Sequence, residues 1–422
     1  MAVELSFVLI TPYSLMKSRT GGIIARLLSR TDLDLVGAQM LTPSKEFAET
    51  YAASMRKHVG KRDEFAAKLF SDYMLDNLSP LPDGSRERVL MLLFKGEDAC
   101  AKLSAVVGQL PNAKNRKTNI IGETIRDTYA DLVFNRDGSL NYFEPAVFTP
   151  PLYDACQERL GMLADFAEAS ENIVTNTTHQ EPNSERTLVI IKPDNWRCPS
   201  VKPGNIIDML SRTGLRIVGC KIYQMSVAEA LEFYGPVQNA LRKKLAPVIG
   251  KKAYDKLSEE FGLKFHPASE QMLTESIGRD YADDQFNKIV EFMSGRRPDE
   301  CPTEELNRPG KVKCMILIYE GPDAVRKIRD VLGPMNANKA LWQSYSAEDL
   351  LKRSKAAGMP AMLITTGQQD AYVVPENRAF RDTPRRGGFS YQYREAPGLH
   401  DWTYWLDELP LHVAFHAGVL HR

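Results

Sequence analysis

Residues 3–10, VELSFVLI, form an apolar run rich in strand-forming residues, and a turn containing proline follows at Thr11-Pro12. GGIIARLLSR (21–30) then places apolar residues at i, i+3 and i+4, which lines one face of a helix, and DLVG (34–37) returns to a strand-like run. Residues 89–108, VLMLLFKGEDACAKLSAVVG, add another strand and helix. The whole pattern then recurs in TLVIIKPDNW (187–196), GNIIDMLSRTGLRIVG (204–219) and CMILIYEGPDAVRKIRDVLG (314–333). Ser29-Arg30-Thr31 lies over Ser211-Arg212-Thr213 at an offset of 182, and Gly96 over Gly321 at an offset of 225.

A βαβ unit followed by βα is the skeleton of a split βαβ sandwich. The spacing therefore predicts an α/β (α+β) protein with tandem ferredoxin-like βαββαβ domains, each an antiparallel sheet covered on one face by helices. The second copy is 43 residues longer between its blocks, where AYDKLSEEFGLKF and QFNKIVEFMSG have helical character, so a helical insertion is expected there. ASENIVTNTTHQEPNSE has few apolar residues and reads as a linker. The expected boundaries are a first domain at 1–168, the linker at 169–184, a truncated second domain at 185–340 and a segment of different character at 341–422.

Composition narrows the function. With 43% hydrophobic and 26% charged residues the chain is neither wholly disordered nor collagenous. Lys+Arg 54 against Asp+Glu 54 leaves no global field to recruit nucleic acid or an anionic membrane, so neither is an expected partner. Cys100, Cys156, Cys198, Cys220, Cys301 and Cys314 form no C-x-x-C pair and read as reduced thiols of a cytoplasmic protein, with no metal site of their own. No stretch approaches the ~18–20 apolar residues that span a bilayer. Glu4 stands where a signal peptide needs a basic region, so the opening run reads as a strand.

The second copy, with ERTLVIIKPD, LSRTGLRIVG, EFYGP and IYEGPDAVRKIRDVLGP, resembles the nucleoside diphosphate kinase family, and the first copy resembles a diverged member. The likeness covers about residues 3–165 and 185–335. It implies γ-phosphoryl transfer between nucleoside tri- and diphosphates through a phosphohistidine, magnesium accompanying the nucleotide, and a homo-oligomer. Carried over residue by residue, it implies nucleotide contacts from Lys192, Tyr234 and Arg329 in the second copy, and from Tyr51, Arg126 and Asn141 in the first.

The same likeness shows what is missing. Met335 stands at the family's threonine, and beyond Lys339-Ala340 the stretch that would carry the second arginine, the asparagine and the histidine is absent. In the first copy Thr11 replaces the lysine, Ser104 an arginine, and Glu144 the histidine. A carboxylate is anionic where an imidazole attacks as a neutral nucleophile, so it repels incoming phosphates. The expectation is a nucleotide-binding protein, a pseudoenzyme unless another nucleophile serves. The alternative is a non-catalytic scaffold.

From about residue 341 the pattern changes. PAMLITTGQQDAYVVPENRAF and FSYQYREAPGLHDWTYW resemble the end of an esterase-type α/β-hydrolase, which implies that Asp370 and His400 are the last two members of a Ser…Asp…His triad. The G-x-S-x-G elbow that presents such a serine occurs nowhere in the chain, which disfavours an esterase. His412, His416 and His421 fall on an amphipathic terminal stretch that reads as a packing helix.

Overall fold

β1 (Val3–Ile10) is buried at every position from Ser6 onward, although successive residues of a strand point to opposite faces. Phe7 and Leu9 enter one apolar cluster, Val8 and Ile10 another. Both faces of this sheet are therefore covered, where the repeat pattern predicts cover on one. The computed structural model describes residues 3–60, 63–110, 122–333, 361–369, 374, 377–378, 380–381, 388–398 and 402–420. They divide into two units, Met1–Val331 and Leu332–Arg422.

In the first half of the larger unit, β1 leads to α1 (Pro12–Met16), α2 (Thr20–Ser29), β2 (Asp34–Leu41), α3 (Lys45–Val59), α4 (Glu64–Leu78), β3 (Val89–Glu97) and α5 (Ala99–Val107). α6 (Ile125–Tyr129), the β4–β5 hairpin (Asp131–Phe134, Leu140–Glu144), β6 (Val147–Phe148) and α7 (Tyr153–Glu168) follow. The sheet is antiparallel in the order β2-β3-β1-β6. Val8 and Ile10 pack with residues of α2 and α5, whereas Phe7 and Leu9 pack with α3, α4 and α7.

The second half runs β7 (Glu185–Ile191), a 3-10 turn at Pro193–Trp196, α8 (Lys202–Ser211) and β8 (Arg216–Tyr223). α9 (Val227–Phe261), α10 (Pro267–Leu273), α11 (Arg279–Ser294), β9 (Cys314–Gly321) and α12 (Ala324–Leu332) complete it. Its sheet has the order β7-β9-β8, the same as β1-β3-β2, and no fourth strand among the described residues. The extra residues of this half lie among α9, α10 and α11. Ser226 and Glu229 form a reciprocal cap at the start of α9, and Arg242 grips Asp283 of α11 through two hydrogen bonds of 2.6 and 2.9 Å.

Local details recur between the halves. A Cβ added at Gly96 would meet Leu33 Cδ2 at 2.6 Å, and one at Gly321 would meet Leu215 Cδ2 at 2.7 Å. The same close strand-to-loop approach recurs at both places, and at Gly321 a φ of +154° also disfavours any side chain. The halves join through α2 and α8, which touch backbone to backbone: a Cβ on Gly21 would lie 2.5 Å from Gly204 O, and one on Gly204 would lie 2.4 Å from Gly21 O. Two cations clasp the joint reciprocally. Arg88 Nη1 donates to Ile217 O at 2.6 Å, and Lys313 Nζ donates to Leu35 O at 2.8 Å. Arg88 and Lys313 precede equivalent strands, and Leu35 and Ile217 each begin an irregular step in the pairing of β2 and β8.

One apolar cluster runs through both halves, from Val8 and Ile24 to Val189, Ile207 and Leu317. The segment expected as a linker is laid against them. Val174 is buried in that cluster, its N–H donates to Val218 O at 2.8 Å, and Thr177 bridges to Arg86.

In the smaller unit β10 (Met362–Gly367) pairs in parallel with β11 (Tyr391–Ala396), and α13 (Trp402–Leu420) follows. All six cysteines are free thiols. Among the described residues no helix is long and apolar enough to cross a membrane.

Candidate functional site

The first copy's expected site lies where β1 ends and β5 returns. Thr11 caps α1, its Oγ1 accepting from Ser14 N at 3.2 Å, because the turn at Pro12 starts the helix there. The same hydroxyl lies 2.7 Å from Glu144 Oε1 and 3.0 Å from Ala146 O. Glu144, at the end of β5, is 1% exposed. Its Oε1 also accepts from Ala146 N at 2.9 Å, and its Oε2 accepts from the Tyr73 hydroxyl of α4 at 2.6 Å.

The residue at the lysine position and the residue at the histidine position are thus bonded to each other inside the protein. Burial raises the Glu144 carboxyl above its usual range, partly opposed by the bonds from Tyr73, Thr11 and Ala146. Burial, reinforced by Glu144, pushes the Tyr73 phenol up as well.

The remaining residues expected around a phosphate in the first half are committed elsewhere or set apart. Tyr51 is fully buried between Phe47 and Phe148, with the Arg159 guanidinium 5.2 Å from its ring, and burial raises its phenol to about 12. Where the resemblance implies a nucleotide contact, the Tyr51 ring packs in the core. Arg126 of α6 donates to Gly108 O at 2.6 Å and Val147 O at 3.3 Å, and lies over the Phe70 ring at 5.1 Å. Desolvation lowers this guanidinium to about 10. Asn141 stands exposed on β5. Tyr73, which the sequence reading missed, closes the cluster from 71 residues away.

The second half differs. Lys192 directly follows β7, is exposed, and its side chain has no hydrogen-bond or ion-pair partner among the described residues. Strand alternation carries Val189 and Ile191 into the cluster shared by the halves and Ile190 to the opposite face, where it packs near Tyr234. Extending that alternation by one step puts Lys192 on the Tyr234 side of the sheet.

Tyr234 of α9 is half-buried, its ring edge-to-face with Phe233 at 4.9 Å, and burial, assisted by Cys314, raises its phenol. Cys314 starts β9 beside Met315, which pairs with Ile191. Lys192 and Tyr234 therefore share one end of the sheet. Arg329, in the last turn of α12, is exposed and likewise has no ion-pair partner among the described residues. No hydrogen bond links Lys192, Tyr234 and Arg329 to one another among those residues. Neither is there a group of three His, Cys, Asp or Glu side chains that could hold a metal ion.

In the smaller unit Asp370, His400 and His421 lie outside the described residues, as does the His416 side chain, and Met335 lies outside them in the stretch before this sheet. Gln369 N donates to Gly398 O at 3.0 Å, which joins the strand ends that precede Asp370 and His400. His412 of α13 lies 2.9 Å from Thr365 Oγ1 of β10, a packing contact.

The nucleoside diphosphate kinase family model matches residues 185–247, a stretch that includes Lys192 and Tyr234. Similar solved structures include the Aquifex aeolicus nucleoside diphosphate kinase (17% identity, TM-score 0.27), where the alignment covers 38% of this chain and 95% of that one. The Borrelia burgdorferi nucleoside-diphosphate kinase with bound vanadate and ADP matches at 14% identity and TM-score 0.29, over 38% of this chain and 86% of that one. An NDP kinase from Pyrobaculum aerophilum matches at 14% identity and TM-score 0.28, over 38% and 95%.

Proposed function

We propose that the chain binds a nucleoside di- or triphosphate at the second half, through Lys192, Tyr234 and Arg329, and that it does not pass the γ-phosphoryl group onward. The observation that carries this reading is the exposed, unpaired Lys192 at the same end of the sheet as the half-buried Tyr234, both within the matched residues 185–247. An unpaired lysine at one end of the sheet and an unpaired arginine on α12 supply the cations that a polyphosphate needs, and a phenol can hydrogen-bond it. Magnesium would come with the nucleotide, held by its phosphates. The two halves are read as copies of one fold, the second truncated.

The first half does not duplicate this site. A phosphate entering there would have to displace Thr11 from Glu144 and approach a buried carboxylate. In-line transfer needs a positioned nucleophile as well as cations, and Glu144 occupies the histidine position already bonded on both oxygens. The scaffold alternative draws on the packing of the two halves, but it leaves two exposed cations without a role.

Calorimetric titration with MgATP tests the reading. Wild type should bind, and Lys192→Ala should weaken binding by about 1–3 kcal/mol, the range for losing a charged hydrogen-bond partner. Equal affinities would remove Lys192 from the site.

A further inference from the structure

A cavity of about 260 Å³ opens between the halves, away from Lys192, bordered by Met16, the first turn of α2 at Thr20 and Gly21, and Arg88 and Arg216. His179 and Glu181 border it from the intervening segment. Arg88 is 8% exposed, and the acceptor it has among the described residues is a carbonyl, Ile217 O. Arg216 and Arg186 share the single carboxylate of Glu320, with Arg216 Nη2 at 2.5 Å and Arg186 Nε at 2.8 Å. Arg88 has no carboxylate within ion-pair distance among the described residues.

The near-symmetric cavity on the other side of the joint provides an internal comparison. It encloses about 200 Å³ and is bordered by Asp34 and Lys313. Lys313 is the counterpart of Arg88, and it is ion-paired with Asp34. The counterpart of Asp34 is Arg216, by the offset that places Leu35 over Ile217. Lys313 and Asp34 thus pair at one cavity, while at the other the position of Asp34 is a second cation and the bordering carboxylate, Glu181, makes no ion pair with Arg88 among the described residues. Desolvation, then the like charge of Arg216, lowers the Arg88 guanidinium to about 10, opposed by the more distant carboxylates of Glu87 and Glu320. A buried cation in this setting calls for an anion. The free N–H groups and dipole of the ten-residue α2 add to the same field, since its first turn has no side-chain cap.

We propose that this cavity binds a small phosphate-type oxyanion, seated beside Arg88 and the first turn of α2. The cavity is smaller than the roughly 300–1,000 Å³ of drug-sized ligand sites, which suits a free phosphate or the head of a small phosphomonoester. This site is independent of the nucleotide reading and lies on different residues.

The test is calorimetric titration of the full chain with inorganic phosphate, and in parallel with ethyl phosphate. Saturable millimolar binding is expected, with a rise in melting temperature. Arg88→Met should weaken it by about tenfold or more, as expected for losing a hydrogen bond to a charged group. Arg88 also clasps the joint, so Met16→Glu supplies a second variant. Met16 is 49% exposed at the cavity border, where a carboxylate repels the anion without removing a buried contact. It should abolish binding while the circular dichroism spectrum is preserved.

Gly161→Ala, at neither site, should bind phosphate as wild type does. Ethyl phosphate binding as well as the free ion would assign a monoester as ligand, and binding of the free ion alone would assign phosphate itself. Absence of saturable binding at tens of millimolar would overturn the proposal. So would binding lost in Lys192→Ala but retained in Met16→Glu.

Discussion

Thr11 and Glu144, 133 residues apart in the chain, are joined by a buried hydrogen bond of 2.7 Å. They occupy the two positions where the family resemblance implies a phosphate-binding lysine and a phospho-accepting histidine. Neither substitution stands alone: the hydroxyl, the carboxylate, Tyr73 and the Ala146 amide satisfy one another. Where the resemblance implies a place for a ligand, the first half holds a closed polar cluster in its core.

The buried Glu144 carboxyl makes stability depend on pH. Its folded-state pKa is raised, so between the unfolded carboxyl's value and the raised folded one the native state holds more protons than the unfolded state. This group's contribution is therefore most favourable below the unfolded pKa and declines as pH rises through the folded one. Glu144→Gln should flatten that part of the profile, measured as melting temperature from pH 4 to 8. Glu144→Ala, which leaves the Tyr73 hydroxyl and the Ala146 amide without their acceptor, should destabilise by about 1–3 kcal/mol.

Arg126 distinguishes the halves. Its guanidinium is committed to two carbonyls of its own half. Arg126→Ala should lower stability by roughly 1.5–3 kcal/mol in chemical denaturation, and leave MgATP affinity unchanged. A large loss of affinity would return the nucleotide to the first half.

The joint between the halves rests on glycine. At Gly204 a methyl group would meet Ala25 N and Gly21 O, each at 2.4 Å. These are backbone atoms and cannot swing aside. Gly204→Ala should therefore cost about 1–3 kcal/mol, seen as a lower melting temperature, whereas Gly161→Ala, where a methyl meets nothing within 4 Å, should not.

The smaller unit should show no esterase activity, because the chain lacks a nucleophile elbow. Hydrolysis of a p-nitrophenyl ester should stay at background in wild type and in His400→Ala. Turnover lost in the variant would reinstate a triad.

Much of this fold could be read from the chain. The strand-turn-helix blocks at 3–30 and 187–211 stand where periodicity puts them, because apolar runs and 3.6-residue spacing are local properties. Glu144 was likewise identifiable as the departure that matters. Its partner Tyr73 was not, since α4 meets β5 only through tertiary packing. Tyr51 is ambiguous in sequence for a related reason. A tyrosine on a helix looks the same in sequence whether it borders a cleft or, as here, lies fully buried against Phe148. The charge reversal from Asp34 to Arg216 was present in the repeat, yet it acquires meaning only when Arg88 and Lys313 are seen to clasp opposite halves.

The second half is proposed to bind a nucleotide without transferring its phosphoryl group. The most direct test is incubation of the purified chain with γ-labelled ATP and magnesium, followed by acid and alkali treatment of the recovered protein. No acid-labile label and no exchange into an added nucleoside diphosphate are expected. Stoichiometric acid-labile label, lost on mutation of one of the seven histidines, would contradict this proposal and identify the nucleophile.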